Sequence, residues 1–260
     1  MELYLTAVFF LVGLCGGSFV NMLLYRTEVR YKIQKKKVKS KNESRSFCDF
    51  CGEQLRWFEN IPVASWVILK GRSRCCNKRL PRLYPTVEMT VGVLFAYIIY
   101  HLSFIIDWNL PIYLIIVSLL VFSAVFDWKY MILPDFSTYI LIGCAGLLWF
   151  LNNFGDYNFI FAGLGAFLFL LILHLATKGQ GMGMGDVKYV FFMGLLLGLT
   201  RTVLAFYLAF VVGALVGLVL IIFYKKNKKS RIPFGPYLIM ATLVGWFWGE
   251  GILLYLYKWF

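Results

Sequence analysis

Two aspartates border long apolar stretches of this chain, and they are the side chains best suited to do chemistry. Asp127 follows the apolar run that ends at Phe126, and Asp186 closes a glycine-rich stretch between hydrophobic segments. An ionisable residue at or near membrane depth costs free energy unless a partner, water or a function offsets that cost. Two converging carboxylates can hydrolyse a peptide bond, because one activates water while the other hydrogen-bonds the carbonyl oxygen. The sequence therefore predicts an aspartyl protease with Asp127 and Asp186 as its catalytic pair.

The glycines before Asp186 predict how that residue is presented. Gly181, Gly183 and Gly185 alternate with methionines. Glycine permits backbone conformations that other residues avoid, and it allows close approach by a substrate strand. We expect this stretch to be a hinge that enters a helix and places Asp186 near the positive end of the helix dipole. That position favours an ionised Asp186 and leaves Asp127 as the protonated member of the pair.

Other interpretations of the titratable residues stay open. Asp127 taken alone is also compatible with an interfacial carboxylate that is paired with Lys129 and has no catalytic role. Asp135 follows a proline and precedes an apolar helix, which is typical of an N-terminal helix cap. The two histidines, His101 and His174, fall on the outer side and within a helix, so a Ser-His-Asp triad is not favoured. The His-Glu-x-x-His pattern of metalloproteases is absent from the sequence.

Four of the six cysteines cluster in one polar segment. Cys48 and Cys51 form a C-x2-C pair, and Cys75 and Cys76 follow as adjacent residues. Such pairs in a reducing compartment indicate a structural zinc site, although unmetallated thiols are the alternative. Metal would supply much of the folding free energy of so small a segment. The remaining two, Cys15 and Cys144, lie in apolar helices and are expected to fill the core.

The elements that must position these residues are membrane helices. The chain is 60% hydrophobic and 19% aromatic, and apolar runs of spanning length recur along it. We expect an all-α polytopic membrane protein with about eight transmembrane helices, the first of them a retained helix and not a cleaved signal peptide. The predicted spans are Leu3–Leu24, Thr86–Phe104, Leu110–Phe126, Phe136–Phe150, Phe159–Ala176, Tyr189–Leu199, Thr202–Tyr224 and Tyr237–Tyr257.

Charge asymmetry predicts the orientation of these spans. If the segment after the first helix is cytoplasmic, all of the 26 Lys and Arg residues except Arg201 and Lys258 fall on the inner side. The positive-inside rule favours that topology, with both termini outside and both aspartates at cytoplasmic helix ends. Topology explains the net charge of +13, so nucleic-acid binding is not favoured.

The chain is predicted to have three parts. Residues 1–26 form the first transmembrane helix, and residues 27–84 form a cytoplasmic, Cys-rich insertion that opens with the basic stretch Lys32–Lys41. Residues 85–260 form the membrane body that carries both aspartates. Basic runs of this kind are usually flexible and solvated, so the ordered part of the insertion should begin near the first cysteine pair.

Several short motifs, in order along the whole chain, resemble those of bacterial type IV prepilin peptidases. These enzymes are leader peptidases and N-methyltransferases of pilus and type II secretion systems. Gly183-Met184-Gly185-Asp186 also resembles the G-x-G-D signature of presenilin-like intramembrane aspartyl proteases. The matching segments are Gly17–Arg26, Asn60–Trp66, Gly71–Arg72, Tyr84–Glu88, Asp127–Asp135, Gly183–Lys188 and Pro233–Pro236.

The resemblance implies a two-step reaction in the bacterial inner membrane, among membrane lipids. A type IV prepilin or pseudopilin would be cleaved on the cytoplasmic side after a glycine, and its new N-terminal residue methylated from S-adenosylmethionine. Asp127 and Asp186 would be catalytic, with Gly183, Gly185 and Lys188 supporting the catalytic loop. An acidic group near the insertion would suit the cationic methyl donor, and the candidates are Asp49, Glu53, Glu59 and Glu88.

The second cysteine pair departs from the family pattern, which is Gly-Arg-Cys-x-x-Cys. Here Ser73 takes the first cysteine position, Cys76 keeps register, and Cys75 lies one residue before it. Either Cys75 supplies the fourth thiolate or the site holds three cysteines. Two other functions remain as alternatives: an ion- or proton-coupled transporter that uses Asp127 and Asp186, and a peptidase-inactive assembly protein.

Overall fold

A computed structural model describes residues 2–31, 33, 46–48, 50–102, 106–179, 182–224 and 233–258. Within these ranges the chain is helical and contains no β-strand, only two isolated β-bridges in the Cys-rich segment. The helices are α1 Glu2–Arg30, α2 Ala64–Ile68, α3 Leu83–His101, α4 Leu110–Tyr130, α5 Asp135–Asn152, α6 Asn158–Ala176, α7 Met184–Leu197, α8 Leu199–Tyr224 and α9 Gly235–Tyr257. The predicted all-α fold is confirmed.

Several residues singled out by the sequence lie outside the described ranges. They are Asp49, Gly181, the basic run Lys225–Arg231 and all of the basic stretch Lys32–Lys41 except Ile33. The first helix is longer than its apolar core predicted, because α1 continues beyond residue 26 to Arg30.

Each of the eight predicted apolar segments corresponds to a helix. Among the described residues, seven of them are long and apolar enough to cross a membrane, namely α1, α3, α4, α5, α6, α8 and α9. The remaining segment is α7, which has 14 residues. It rises about 21 Å, which is less than the ~30 Å of a bilayer core. The chain is therefore a multi-pass membrane protein in which one helix is shorter than a span.

The chain divides into two compact units, Met1–Phe122 and Ser123–Phe260, with the boundary inside α4. In the first unit, α1 and α3 pack closely because small residues of α1 face α3. A Cβ atom added at Gly13 would lie 2.7 Å from Cα of Gly92. One added at Gly17 would lie 2.4 Å from Cα of Glu88. Both distances are shorter than any van der Waals contact, so the two helices approach at their backbones.

In the second unit, α7 is the most enclosed helix and packs against α5 and α6. A Cβ atom at Gly194 would lie 2.4 Å from Cα of Gly163, so α6 and α7 touch at glycine. Tyr189 is fully buried, and its hydroxyl donates to Oγ1 of Thr242 in α9 at 3.1 Å. A short helix surrounded by protein on most sides is a stable support for the residues at its first turn.

Candidate active site and metal centre

Asp127 lies in the last turn of α4, with 5% of its surface exposed. Its Oδ2 accepts a hydrogen bond at 3.1 Å from the backbone N–H of Gly235, the first residue of α9. A Cβ atom at Gly235 would lie 2.6 Å from that oxygen, so only glycine leaves room for the carboxylate. The N-terminus of α9 therefore holds Asp127 in place.

The start of α9 is fixed by its local sequence. Pro236 lies in the first turn, where its missing N–H is not needed and its fixed φ suits a helix. Phe234 precedes the helix and packs on Phe210 of α8, with ring centroids 5.3 Å apart. Sequence reasoning identified Pro233–Pro236 only as a matching motif and did not connect it with Asp127. A glycine before a proline at a helix start was the available signal, but it gave no indication of the partner.

Asp186 is the third residue of α7, with 9% of its surface exposed. Its Oδ2 accepts a hydrogen bond at 3.3 Å from the backbone N–H of Gly183, in the manner of a helix cap that folds back on its own first turn. Gly183 has an ordinary extended backbone, with φ −75°, so its freedom at positive φ is not used. Gly185 allows the backbone of α7 to lie close to Leu133, because a Cβ atom at Gly185 would lie 3.0 Å from Cβ of Leu133.

The structure brings the two aspartates of the predicted pair into one region of the second unit. Burial raises the pKa of the Asp186 carboxyl, and a negative charge on Asp127 raises it further. Each accepts one backbone N–H at a helix N-terminus, α9 for Asp127 and α7 for Asp186. This arrangement can hold a single shared negative charge better than two, because like charges at short range repel in a medium of low dielectric constant.

His174 contacts the loop that leads to Asp186. Its Nδ1 lies 2.8 Å from the backbone oxygen of Met182, and since a carbonyl oxygen only accepts, Nδ1 carries the proton. The His174 side chain therefore connects the end of α6 to the segment before α7.

The expectation that Asp135 caps a helix is wrong. Pro134 is the N-cap of α5, and the Asp135 carboxylate in the first turn accepts a hydrogen bond from Lys188 Nζ at 2.7 Å. The Lys188 ammonium also lies over the ring of Tyr139, 5.5 Å from its centroid. Lys188 is thus held by α5, two residues after Asp186. Tertiary pairing with a cation 53 residues away replaces the local capping bond that the sequence suggested.

The Cys-rich segment contains two turns of the same construction. In the first, Cys48 N–H donates to the Glu53 carbonyl at 2.8 Å and Gly52 N–H to the Cys48 carbonyl at 2.9 Å. In the second, Ser73 N–H donates to the Lys78 carbonyl and Asn77 N–H to the Ser73 carbonyl, both at 2.8 Å. Gly52 and Asn77 both have positive φ. Ser73 therefore occupies the structural position of Cys48, and Cys76 that of Cys51.

The adjacent cysteines nevertheless complete a four-sulfur cluster. The Sγ atoms of Cys48, Cys51, Cys75 and Cys76 all lie within 4.8 Å of one another. Cys48 and Cys76 are 3.8 Å apart, the separation expected across a tetrahedron with Zn–S bonds of about 2.3 Å, whereas Cys51 and Cys75 are closer, at 3.0 Å. The Ser73 hydroxyl lies 3.0 Å from Cys75 Sγ and 3.3 Å from Cys48 Sγ. This donor set fits a closed, structural zinc site.

Two thiols of the cluster have pKa values shifted in opposite directions, downward for Cys48 and upward for Cys75. Burial alone would raise the pKa of Cys48, but hydrogen bonds from Ser73 and from backbone N–H groups at Phe50 and Cys51 lower it to about 7. Burial and the neighbouring Cys51 thiol raise the pKa of Cys75 to about 12. A divalent cation would remove this opposition, because it stabilises all four thiolates together.

Of the acids proposed for a cationic ligand, Glu88 is distinct. Its carboxylate, in a residue 9% exposed, accepts the backbone N–H of Val63 at 2.7 Å and Nδ2 of Asn21 at 3.3 Å. Glu53 is exposed, and the Glu59 carboxylate accepts the N–H of Arg56 at 2.6 Å, which closes a local turn. Glu88 is therefore the buried acid of this set within the described ranges.

Comparison with known proteins gives matches along most of the chain. Residues 11–102 match the family model described as the bacterial peptidase A24 N-terminal domain. Residues 114–218 match the model of the type IV leader peptidase family. The second match contains Asp127 and Asp186, and the first contains the four clustered cysteines.

Relatives named prepilin leader peptidase/N-methyltransferase match nearly end to end. The protein of Stutzerimonas stutzeri is 30% identical over 93% of this chain and 90% of its own length. That of Legionella pneumophila is 28% identical over 94% and 91%, respectively. That of Bacillus subtilis strain 168 is 28% identical over 97% and 98%. No solved structure matches the chain.

Proposed function

The chain belongs to the type IV leader peptidase family, which makes it a prepilin leader peptidase with N-methyltransferase activity, and we propose that it cleaves by aspartyl-protease chemistry. Its substrates are type IV prepilins or pseudopilins. The observation that carries the proposal is the pair of buried carboxylates, Asp127 and Asp186, each fixed by a backbone N–H at a helix N-terminus.

The chemistry follows from one proton shared between the two carboxylates. The ionised carboxylate takes a proton from a water molecule, whose oxygen attacks the scissile carbonyl carbon. The protonated carboxyl donates a hydrogen bond to the carbonyl oxygen, which gains negative charge. The tetrahedral intermediate then collapses as the C–N bond breaks, and a proton passes to the leaving amine. The positive end of the α7 dipole favours an ionised Asp186, and this assignment stays a prediction.

Three residues at the start of α7 support this pair. Gly183 supplies the N–H that holds the carboxylate, Gly185 allows α7 to approach Leu133, and Lys188 is anchored on Asp135. None of these residues needs to touch the substrate. Together they fix the first turn of α7, which sets the direction of the Asp186 side chain.

We place the reaction on the cytoplasmic side of the bacterial inner membrane. The positive-inside rule puts the basic loops, and with them the ends of α4 and the start of α7, on that side. Residues 27–84 then form the methyltransferase-associated insertion and residues 85–260 the peptidase body. The partners are prepilins and membrane lipids, with no role for nucleic acid.

The second reaction uses S-adenosylmethionine as methyl donor. When bound, S-adenosylmethionine would supply the methyl group that replaces a proton on the new N-terminal amine, with S-adenosylhomocysteine as the by-product. Cys48, Cys51, Cys75 and Cys76 would hold Zn²⁺ in a structural role, because four thiolate ligands would leave no open position for substrate.

The test is incubation with a prepilin in lipid, with leader removal and methylation read separately by mass spectrometry. Asp127→Asn and Asp186→Asn should each abolish cleavage in a protein that stays folded. Lys129→Gln, which removes a charge beside Asp127, is the matched control and should cleave normally. Cleavage that survives in either asparagine variant would refute the assignment of that aspartate.

A further inference from the structure

A buried carboxylate in the first unit has no cationic partner among the described residues. Glu88 lies in the second turn of α3, and its neighbours are the Val63 backbone N–H, Nδ2 of Asn21 and the Ser18 side chain. All three are neutral. A carboxylate removed from water is costly without an opposite charge, even when it is hydrogen-bonded. Near a membrane such a residue is more often part of a site than of the framework.

An unsatisfied acceptor lies next to this carboxylate. Asn21 Nδ2 donates to the Tyr84 carbonyl at 3.1 Å and to Glu88 Oε1 at 3.3 Å. Both partners are acceptors, so the orientation of the amide is fixed and the other atom is the oxygen. That Oδ1 is buried and has no hydrogen-bond partner. A buried polar atom left unpaired costs about 1–3 kcal/mol, which a bound donor would recover.

The third component is a strained turn. Val63 has φ 59° and ψ −50°, an unfavourable conformation for a β-branched residue. The Ala64 N–H closes the turn on the Pro62 carbonyl. In this turn the Val63 N–H is directed to Glu88 Oε2 at 2.7 Å. Strain of this kind persists where the surrounding structure holds it, and it is concentrated at ligand sites.

We propose that Glu88 and Asn21 form a binding site for a primary ammonium group. The ligand must bring a positive charge for the Glu88 carboxylate and an N–H donor for Asn21 Oδ1. An ammonium group supplies both, whereas a sulfonium supplies the charge but no donor. This inference rests on the proposed methyltransferase function, which offers two such groups. One is the new N-terminal ammonium of the processed pilin, and the other is the amino group of S-adenosylmethionine.

The experiment measures methylation kinetics of the full-length protein in lipid, with processed pilin and S-adenosylmethionine varied separately. Glu88→Gln keeps the shape and removes the charge. Glu2→Gln makes the same change at an exposed glutamate of the same unit and should behave as wild type. We expect Glu88→Gln to raise KM about 10-fold or more for one of the two substrates. The substrate affected identifies which ammonium is bound.

A competition experiment separates charge recognition from damage to the fold. Two pairs of compounds are compared as inhibitors of methylation. The first pair is a processed-pilin peptide and its analogue without the N-terminal amine. The second pair is an adenosyl sulfonium compound with its amino group and the same compound without it. In the wild type, loss of the bound amine should weaken inhibition about 10-fold. In Glu88→Gln the two members of that pair should inhibit alike.

Two results would overturn the inference. Unchanged KM for both substrates in Glu88→Gln, with only kcat reduced, would make Glu88 part of the framework. Equal inhibition by both members of both pairs in the wild type would do the same. If the wild type itself cleaved but did not methylate, the proposed methyltransferase function would fail, and this inference with it.

Discussion

Gly235 N–H donates a hydrogen bond at 3.1 Å to Oδ2 of Asp127, a residue 108 positions earlier in the chain. The absence of a side chain at Gly235 is part of this contact, because a Cβ atom there would lie 2.6 Å from the same oxygen. The first residue of α9 thus determines where the Asp127 carboxylate lies. Its N–H also favours the charged form of that carboxylate, because it donates a hydrogen bond to it.

Gly235→Ala should therefore damage leader cleavage while the protein still folds. The added methyl group displaces the Asp127 carboxylate and lengthens or breaks the hydrogen bond. We expect kcat/KM for cleavage to fall about 10-fold or more, since overpacking of this kind costs about 1–3 kcal/mol. Gly251→Ala is the matched control in α9, because nothing lies within 4 Å of its Cβ position. Equal activity of the two variants would contradict the positioning role.

The metal site allows an exchange of ligands. Cys75→Ser should lose bound zinc. Cys75 supplies the fourth thiol of the cluster in place of a cysteine at position 73, and this substitution removes it. Adding Ser73→Cys to that variant restores the regular C-x2-C spacing and should restore one zinc per chain. Cys15→Ser, outside the cluster, is the control. The measurement is metal content by mass spectrometry of purified protein. Zinc retained by Cys75→Ser alone would show that Cys75 is not a ligand.

The pair of Lys188 and Asp135 should make a modest contribution to stability. Their side chains are 29% and 57% exposed, so water screens the attraction between them. We expect a double-mutant cycle with Lys188→Met and Asp135→Asn to give a coupling of about 0.2–1 kcal/mol that decreases with salt. Thermal unfolding in detergent at two salt concentrations measures it. A coupling of several kcal/mol would imply a buried pair and contradict the geometry.

Close packing of α6 on α7 gives a further prediction. Gly194→Ala would place a Cβ atom 2.4 Å from Gly163, which forces the two helices apart. We expect a loss of stability of about 1–3 kcal/mol and reduced cleavage, since α7 carries Asp186. Gly143→Ala, in open space on α5, should leave the melting temperature unchanged or raise it. If Gly194→Ala had the same melting temperature as the control, α6 and α7 would have to be farther apart than the contact between Gly194 and Gly163 implies.

The sequence by itself determined the membrane helices, the two aspartates and the four cysteines. These features are local, because hydropathy over about twenty residues defines a span and residue type with spacing defines a candidate ligand or acid. The same local reasoning failed at Asp135, where a short-range cap was expected and the partner proved to be Lys188. It also left open whether Cys75 could stand in for Ser73.

Only the tertiary structure decided which distant groups meet. It placed Gly235 against Asp127, Lys188 against Asp135, and Val63 with Asn21 against Glu88. It also brought the Cys75 thiol within 3.0 Å of Cys51 although the second turn has lost its regular cysteine. Such contacts depend on how helices pack and where loops return. No local pattern encodes that choice, because packing is determined by all the neighbouring side chains at once.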